Sequence, residues 1–160
     1  MITEEPICCT PKFLPVNPDI ERIAVLRGKT WGDKAADLSV SFMERVSAEF
    51  ERKLLAYAMK WAKTGANIRF RTTKGIGDIR IAFGDSGYWS YLGTDCRSIP
   101  AGEPTMNLQD FQVSTPDSEW DRVVCHEFGH ALGCPHEHMR RDLQSKLRHH
   151  VASEVVDCAQ

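Results

Sequence analysis

His126-Glu127-Phe128-Gly129-His130-Ala131-Leu132-Gly133-Cys134-Pro135-His136 reads H-E-x-x-H-x-x-G-x-x-H. Residues four apart on an α-helix lie one turn above each other on the same face. His126 and His130 can therefore reach one ion. Glu127 stands roughly 100° further round the helix, poorly placed as a ligand but well placed to touch a water held at the metal. Gly133 falls where a helix commonly ends on a left-handed residue, and Pro135 discourages renewed helix. His136 can then return to the ion from the side. Three neutral imidazoles leave a fourth tetrahedral position open, which separates a catalytic zinc site from a closed structural one. The pattern thus calls for one zinc ion and for Glu127 as the general base of a hydrolysis. Glu127 takes a proton from water and later delivers it to the leaving amine.

Immediately upstream, Thr115-Pro116-Asp117-Ser118-Glu119 is a helix start. Thr115 is the expected N-cap, Pro116 the first helical residue, and Asp117 and Glu119 suit the positive end of the dipole. The helix should run from about Pro116 to Leu132. Trp120, Val123, Val124, Phe128 and Ala131 should bury it. Burial fixes the imidazoles and lets their second ring nitrogens be tied to backbone carbonyls or to Asp121.

Further upstream the hydrophobic period alternates between two and 3.6. Leu38 to Phe42, Ile68 to Thr72 and Asp78 to Phe83 read as strands, with Thr105 to Leu108 as one more short strand. Val46, Phe50, Leu54, Tyr57, Ala58 and Trp61 recur at steps of three and four, predicting a long amphipathic helix over 45–63 that ends near Gly65. Arg69 and Arg71 read as a solvated strand face. Gly75-Ile76-Gly77 is a turn, without the third glycine or following helix of a dinucleotide site. Gly87 to Gly93 is an edge strand or a folded loop. Asp19 to Gly28 reads as a helical turn or an early strand. Residues 1–18 hold Pro6, Pro11, Pro15 and Pro18 and read as an irregular lead-in.

At 160 residues and a net charge of -2, the chain is one domain with no global electrostatic case for nucleic acid or anionic membranes. No apolar run approaches the length of a membrane span, and Glu4, Glu5 and Pro6 stand where a signal peptide would carry positive charge. The six cysteines form no C-x-x-C pair and are too sparse for a disulfide scaffold. Cys125 and Cys134, which flank the motif, read as ordinary buried thiols rather than ligands. Cys8 and Cys9 could in principle reach the metal as an inhibitory thiolate. His138, His149 and His150 receive no role.

Residues His126 to His136 resemble the extended signature of the metzincin clan of zinc endopeptidases. The likeness to the astacin-like branch goes further. The third histidine is followed by Glu-x-x-Arg-x-Asp, here Glu137 to Asp142, and Trp89-Ser90-Tyr91-Leu92-Gly93 is similar to a W-S-Y-V-G segment at the sheet edge of such enzymes. The resemblance implies an α+β fold: a metzincin-like upper subdomain with a mixed, twisted sheet, a backing helix and an active-site helix. It implies His126, His130 and His136 as zinc ligands, Glu127 as base, and Trp89, Ser90, Tyr91, Leu92 and Gly93 as an edge that pairs with an extended peptide. Glu137 would be structural. Cys134 stands where the branch usually carries phenylalanine.

The implied organisation is a lead-in over 1–28, a catalytic domain over 29–142 and a tail over 143–160. Met139 follows His136 too closely to be the Met-turn of the clan, and the lower subdomain is expected to be largely missing. The implied activity is that of a monomeric zinc-dependent endopeptidase acting on peptide or protein substrates. The alternative is a truncated, weakly active or inactive zinc- and peptide-binding relic. Members of the branch are typically exported.

Overall fold

The computed structural model of the protein describes residues 29–32, 35–63 and 67–134. The expectations for Cys8, Cys9, residues 1–28, Gly65, His136, Glu137 and the tail lie outside them. The order is β1 (Ala36–Phe42), α1 (Ala48–Ala58), α2 (Lys60–Lys63), β2 (Ile68–Thr72), β3 (Ile79–Ala82), β4 (Tyr88–Ser90), a 3-10 turn (Gly93–Ser98), β5 (Met106–Leu108) and a final helical run. That run is α3 (Asp117–Glu119), a π turn (Trp120–Val124) and α4 (Cys125–Ala131).

The five strands lie in the order β2-β1-β3-β5-β4. The first three pairings are parallel, and β4 runs antiparallel to β5. Alternation sorts the side chains. Leu38, Val40, Phe70, Ile79, Ile81, Met106 and Leu108 share one core with Phe50, Leu54 and Ala58 of α1 and with Trp120, Val123, Val124, Phe128 and Ala131 of the final run. Both helical layers therefore cover one sheet face, and the fold is the mixed α+β sheet that the motif's family likeness implied. Phe50 and Phe111 each meet the Trp120 ring at 5.1 Å between centroids, edge-on, as aromatic quadrupoles prefer.

The intervening residues Ser39, Ser41, Arg80 and Asn107 are buried on the opposite face, and hydrogen bonds account for them. Ser39 Oγ donates to Asp78 Oδ2 at 2.6 Å. The Arg80 guanidinium donates to the carbonyls of Gly77, Ile99, Pro100 and Glu103. The bonds to Ile99, Pro100 and Glu103 pin the loop between β4 and β5 onto the sheet. Arg69 and Arg71 are exposed on β2, and Arg71 pairs with Asp37 at 3.5 Å. No helix among the described residues is long and apolar enough to cross a membrane.

Two helix boundaries differ from the sequence expectation. The 45–63 helix begins at Ala48 and is interrupted at Met59, giving α1 and the separate α2. Its start is set by Ser47, whose Oγ accepts the Phe50 N–H at 3.1 Å. Ser47→Ala should lower the unfolding free energy by about 1 kcal/mol, measured by denaturant unfolding of the metal-free protein. The second difference concerns Thr115, which does not cap the final run. Its hydroxyl accepts the Gln112 N–H at 3.0 Å and closes the preceding turn. Pro116 takes the cap position without a side-chain bond, and Asp117 instead pairs with Lys53 at 2.8 Å.

Candidate active site

α4 is gripped from both ends. At its start, the Trp61 indole of α2 donates to the Cys125 carbonyl at 2.8 Å. The absence of a Cβ at Gly129 makes room for the same ring, since a Cβ there would stand 2.7 Å from Trp61 Cζ2. At its end, Gly133 adopts φ 99° and the Cys134 N–H bonds the Gly129 carbonyl at 3.0 Å. This is the glycine-terminated stop expected from the motif.

The four-residue spacing brings His126 Nε2 and His130 Nε2 to 3.0 Å, with the rings at 88° to each other. His130 Nδ1 lies 2.7 Å from the Cys134 carbonyl. A carbonyl only accepts, so Nδ1 carries the proton and the Nε2 lone pair of the neutral ring faces His126. For His130, a backbone carbonyl is the partner used. Asp121 is engaged by Lys60 Nζ at 2.5 Å.

Glu127 is 1% exposed. Its Oε2 has no hydrogen-bond partner among the described residues. Burial pushes its carboxyl up to about 8, slightly offset by Arg122. A buried, unpartnered carboxylate is costly unless it faces a charge or a proton.

These features fit a zinc ion. Two nitrogens bound to one tetrahedral zinc stand about 3.3 Å apart, close to the spacing seen. The tautomer of His130 is the ligating one. Glu127 Oε2 has no hydrogen-bond partner among the described residues, and a positive centre or a water would supply one. The third predicted ligand, His136, is outside the described residues, and among those residues no group of three or more His, Cys, Asp or Glu converges.

The predicted peptide-binding segment divides. Trp89 and Ser90 belong to β4, an edge of the described sheet. The Tyr91 N–H donates to the Thr105 carbonyl at 2.9 Å, so by alternation the N–H and C=O of Ser90 point away from β5. Leu92 is fully buried and caps the 3-10 turn, and Gly93 opens that turn at φ 52°. The last two residues thus form the turn beneath the edge rather than the edge itself. The Trp89 indole is committed to Ser86 Oγ at 2.9 Å.

The thiols differ from expectation in part. Cys134 is exposed and Cys125 half-buried, whereas Cys96 is buried. Burial pushes the Cys96 and Cys125 thiols to about 11, with Asp121 adding to the shift at Cys125. A surface hollow lined by Arg45, Phe50, Phe83 and Phe111 contains none of the site residues.

Sequence reasoning missed residues 29–32, which lie against the ends of both the Gly93 turn and α4. No periodicity or motif marks them.

The sequence profile of the Astacin peptidase family matches residues 26–154. A structure of myroilysin is similar at TM-score 0.61 and 39% identity, over 68% of this chain and 45% of that one. Another crystal structure of myroilysin gives TM-score 0.60 and 37% identity, over 74% of this chain and 48% of that one. The chain spans about half the length of these solved relatives. No curated protein matches it. With the profile covering most of its length, the chain belongs to the astacin family of zinc-dependent peptidases.

Proposed function

We propose that this chain hydrolyses peptide bonds, with His126, His130 and His136 holding one zinc ion and Glu127 serving as general base. The observation that carries this is the convergence of two Nε2 atoms at 3.0 Å on the helix that also buries the unpartnered carboxylate oxygen of Glu127. When bound, zinc supplies Lewis-acid chemistry at the open position, acidifying water and polarising a peptide carbonyl.

The chain's own residues do the rest. The Cys134 carbonyl holds His130 in the tautomer that offers Nε2. Glu127 accepts a proton at its carboxylate from the attacking water and gives it to the leaving amine. By resemblance, β4 is the edge where an extended substrate would add a strand; Ser90, whose N–H and C=O face away from β5, is 1% exposed, so substrate pairing there requires that face to be uncovered.

The direct test is digestion of unfolded casein by the purified chain, with and without a chelator, alongside its zinc content. One equivalent of zinc and chelator-sensitive cleavage are expected. Zinc at one equivalent without cleavage would make the chain a zinc- and peptide-binding module instead. A chain that binds no zinc would sink both readings.

A further inference from the structure

Residues 29–32 form a strap across the end of the active-site helix. The Lys29 carbonyl accepts the Thr94 N–H at 2.9 Å. The Lys29 ammonium, only 8% exposed, pairs with Asp95 at 2.5 Å. Gly93 lets the strap come this close, since a Cβ there would stand 1.8 Å from the Lys29 carbonyl oxygen, while Gly133 lies in ordinary contact with Lys29 and Thr30. Trp31 completes the contact. Its indole N–H donates to the Ala131 carbonyl at 2.8 Å, and Arg97 covers its ring at 4.7 Å.

The Ala131 carbonyl needs such a donor. Helical continuation would give it the N–H of residue 135, which is proline and has none. Three residues on from Ala131, the Cys134 carbonyl holds His130 Nδ1. The position of that carbonyl is therefore set by how the last turn of α4 sits on the strap.

We infer that Trp31 is a positioning residue for His130: its N–H bond fixes the helix end that carries the carbonyl orienting the imidazole. This rests on His130 being a zinc ligand. Groups bonded directly to a ligating ring, as the Cys134 carbonyl is to His130, tune metal affinity by about ten- to a hundredfold; Trp31 acts one contact further out, so the lower end applies.

The test uses the full chain. Trp31→Phe keeps a ring and deletes the N–H. Replacing Trp31 by β-(3-benzothienyl)alanine deletes the donor with almost no change of shape, should the phenylalanine variant fail to fold. Either should raise the zinc dissociation constant about tenfold, read by competition with a chromophoric chelator, and shift the visible spectrum of the cobalt-substituted protein. In the metal-free protein, nitrogen chemical shifts should show His130 protonated at Nδ1 in the wild type and as a tautomer mixture in the variant. Arg97→Ala, which leaves the N–H in place, should keep wild-type affinity. Unchanged affinity, cobalt spectrum and tautomer without the N–H would overturn the inference. A wild-type chain that binds no zinc would overturn the ligand assignment instead, and the tautomer measurement would still decide whether Trp31 positions the ring.

Discussion

Glu127→Gln should reduce kcat for peptide hydrolysis about a thousandfold or more while the protein retains one equivalent of zinc. The amide keeps the shape of the side chain but cannot accept the water's proton. Loss of His130 would produce the opposite pattern, removing the metal along with the activity. Full activity in the glutamine variant would refute the assignment of the base.

The same substitution has a second readout in the metal-free protein. The Glu127 carboxyl is raised by burial from 4.5 to about 8. Below pH 4.5 it is protonated in both folded and unfolded chains. As pH rises past 4.5 the unfolded chain releases the proton and the folded one keeps it, so stability falls until the folded group also titrates near 8. Each unit of displacement corresponds to about 1.4 kcal/mol. The metal-free wild type should therefore lose on the order of 4 kcal/mol across that window relative to Glu127→Gln. Chemical denaturation of both proteins at pH 5 and pH 8 measures this. Parallel behaviour of the two would mean that the carboxylate finds compensation in the folded state.

Gly93→Ala should lower the unfolding free energy of the metal-free protein by about 3 kcal/mol or more, a fall of about 10 °C in the thermal midpoint. Two costs combine. Gly93 sits at φ 52°, where a Cβ is strained. That Cβ would also stand 1.8 Å from the Lys29 carbonyl oxygen and 2.8 Å from its carbon. Backbone cannot rotate out of the way as a side chain can, so the strap must lift. Lifting it breaks the Thr94 bond and weakens the buried Lys29–Asp95 pair. Gly102→Ala is the control, since a Cβ there meets nothing within 4 Å; it should be near neutral. Equal midpoints for the two variants would show that the strap does not occupy this place.

Much of the fold was legible because it depends on local pattern. Leu38 and Val40 alternate with Ser39 and Ser41, and that alternation alone assigned β1 and its buried face. The strands over 68–72 and 78–83 followed from the same rule. The four-residue histidine spacing brought two ring nitrogens together, since helix geometry leaves little else for it to do.

Other features were hidden because the deciding partner is far away in sequence. Thr115 looks like a cap until the hydroxyl is found closing its own turn on Gln112. The stripe from Val46 to Trp61 is continuous, yet the helix breaks at Met59 and the Trp61 indole of α2 meets the Cys125 carbonyl. Asp121 lies one turn before the site and could have held a histidine, but Lys60 takes it. Cys134 was expected to be buried and is exposed, while its carbonyl does the orienting.

The sequence by itself determined the helix that carries His126, Glu127 and His130, the glycine at which it ends, and the sheet against which it packs. Each follows from periodicity and from the conformational range of single residues. Only the tertiary structure decided which carbonyl orients His130, how deeply Glu127 is buried, and that residues 29–32 strap the end of the helix. Those outcomes depend on contacts between segments up to a hundred positions apart, such as Trp31 with Ala131. No local pattern encodes such contacts, because the same residues would satisfy local rules with or without them.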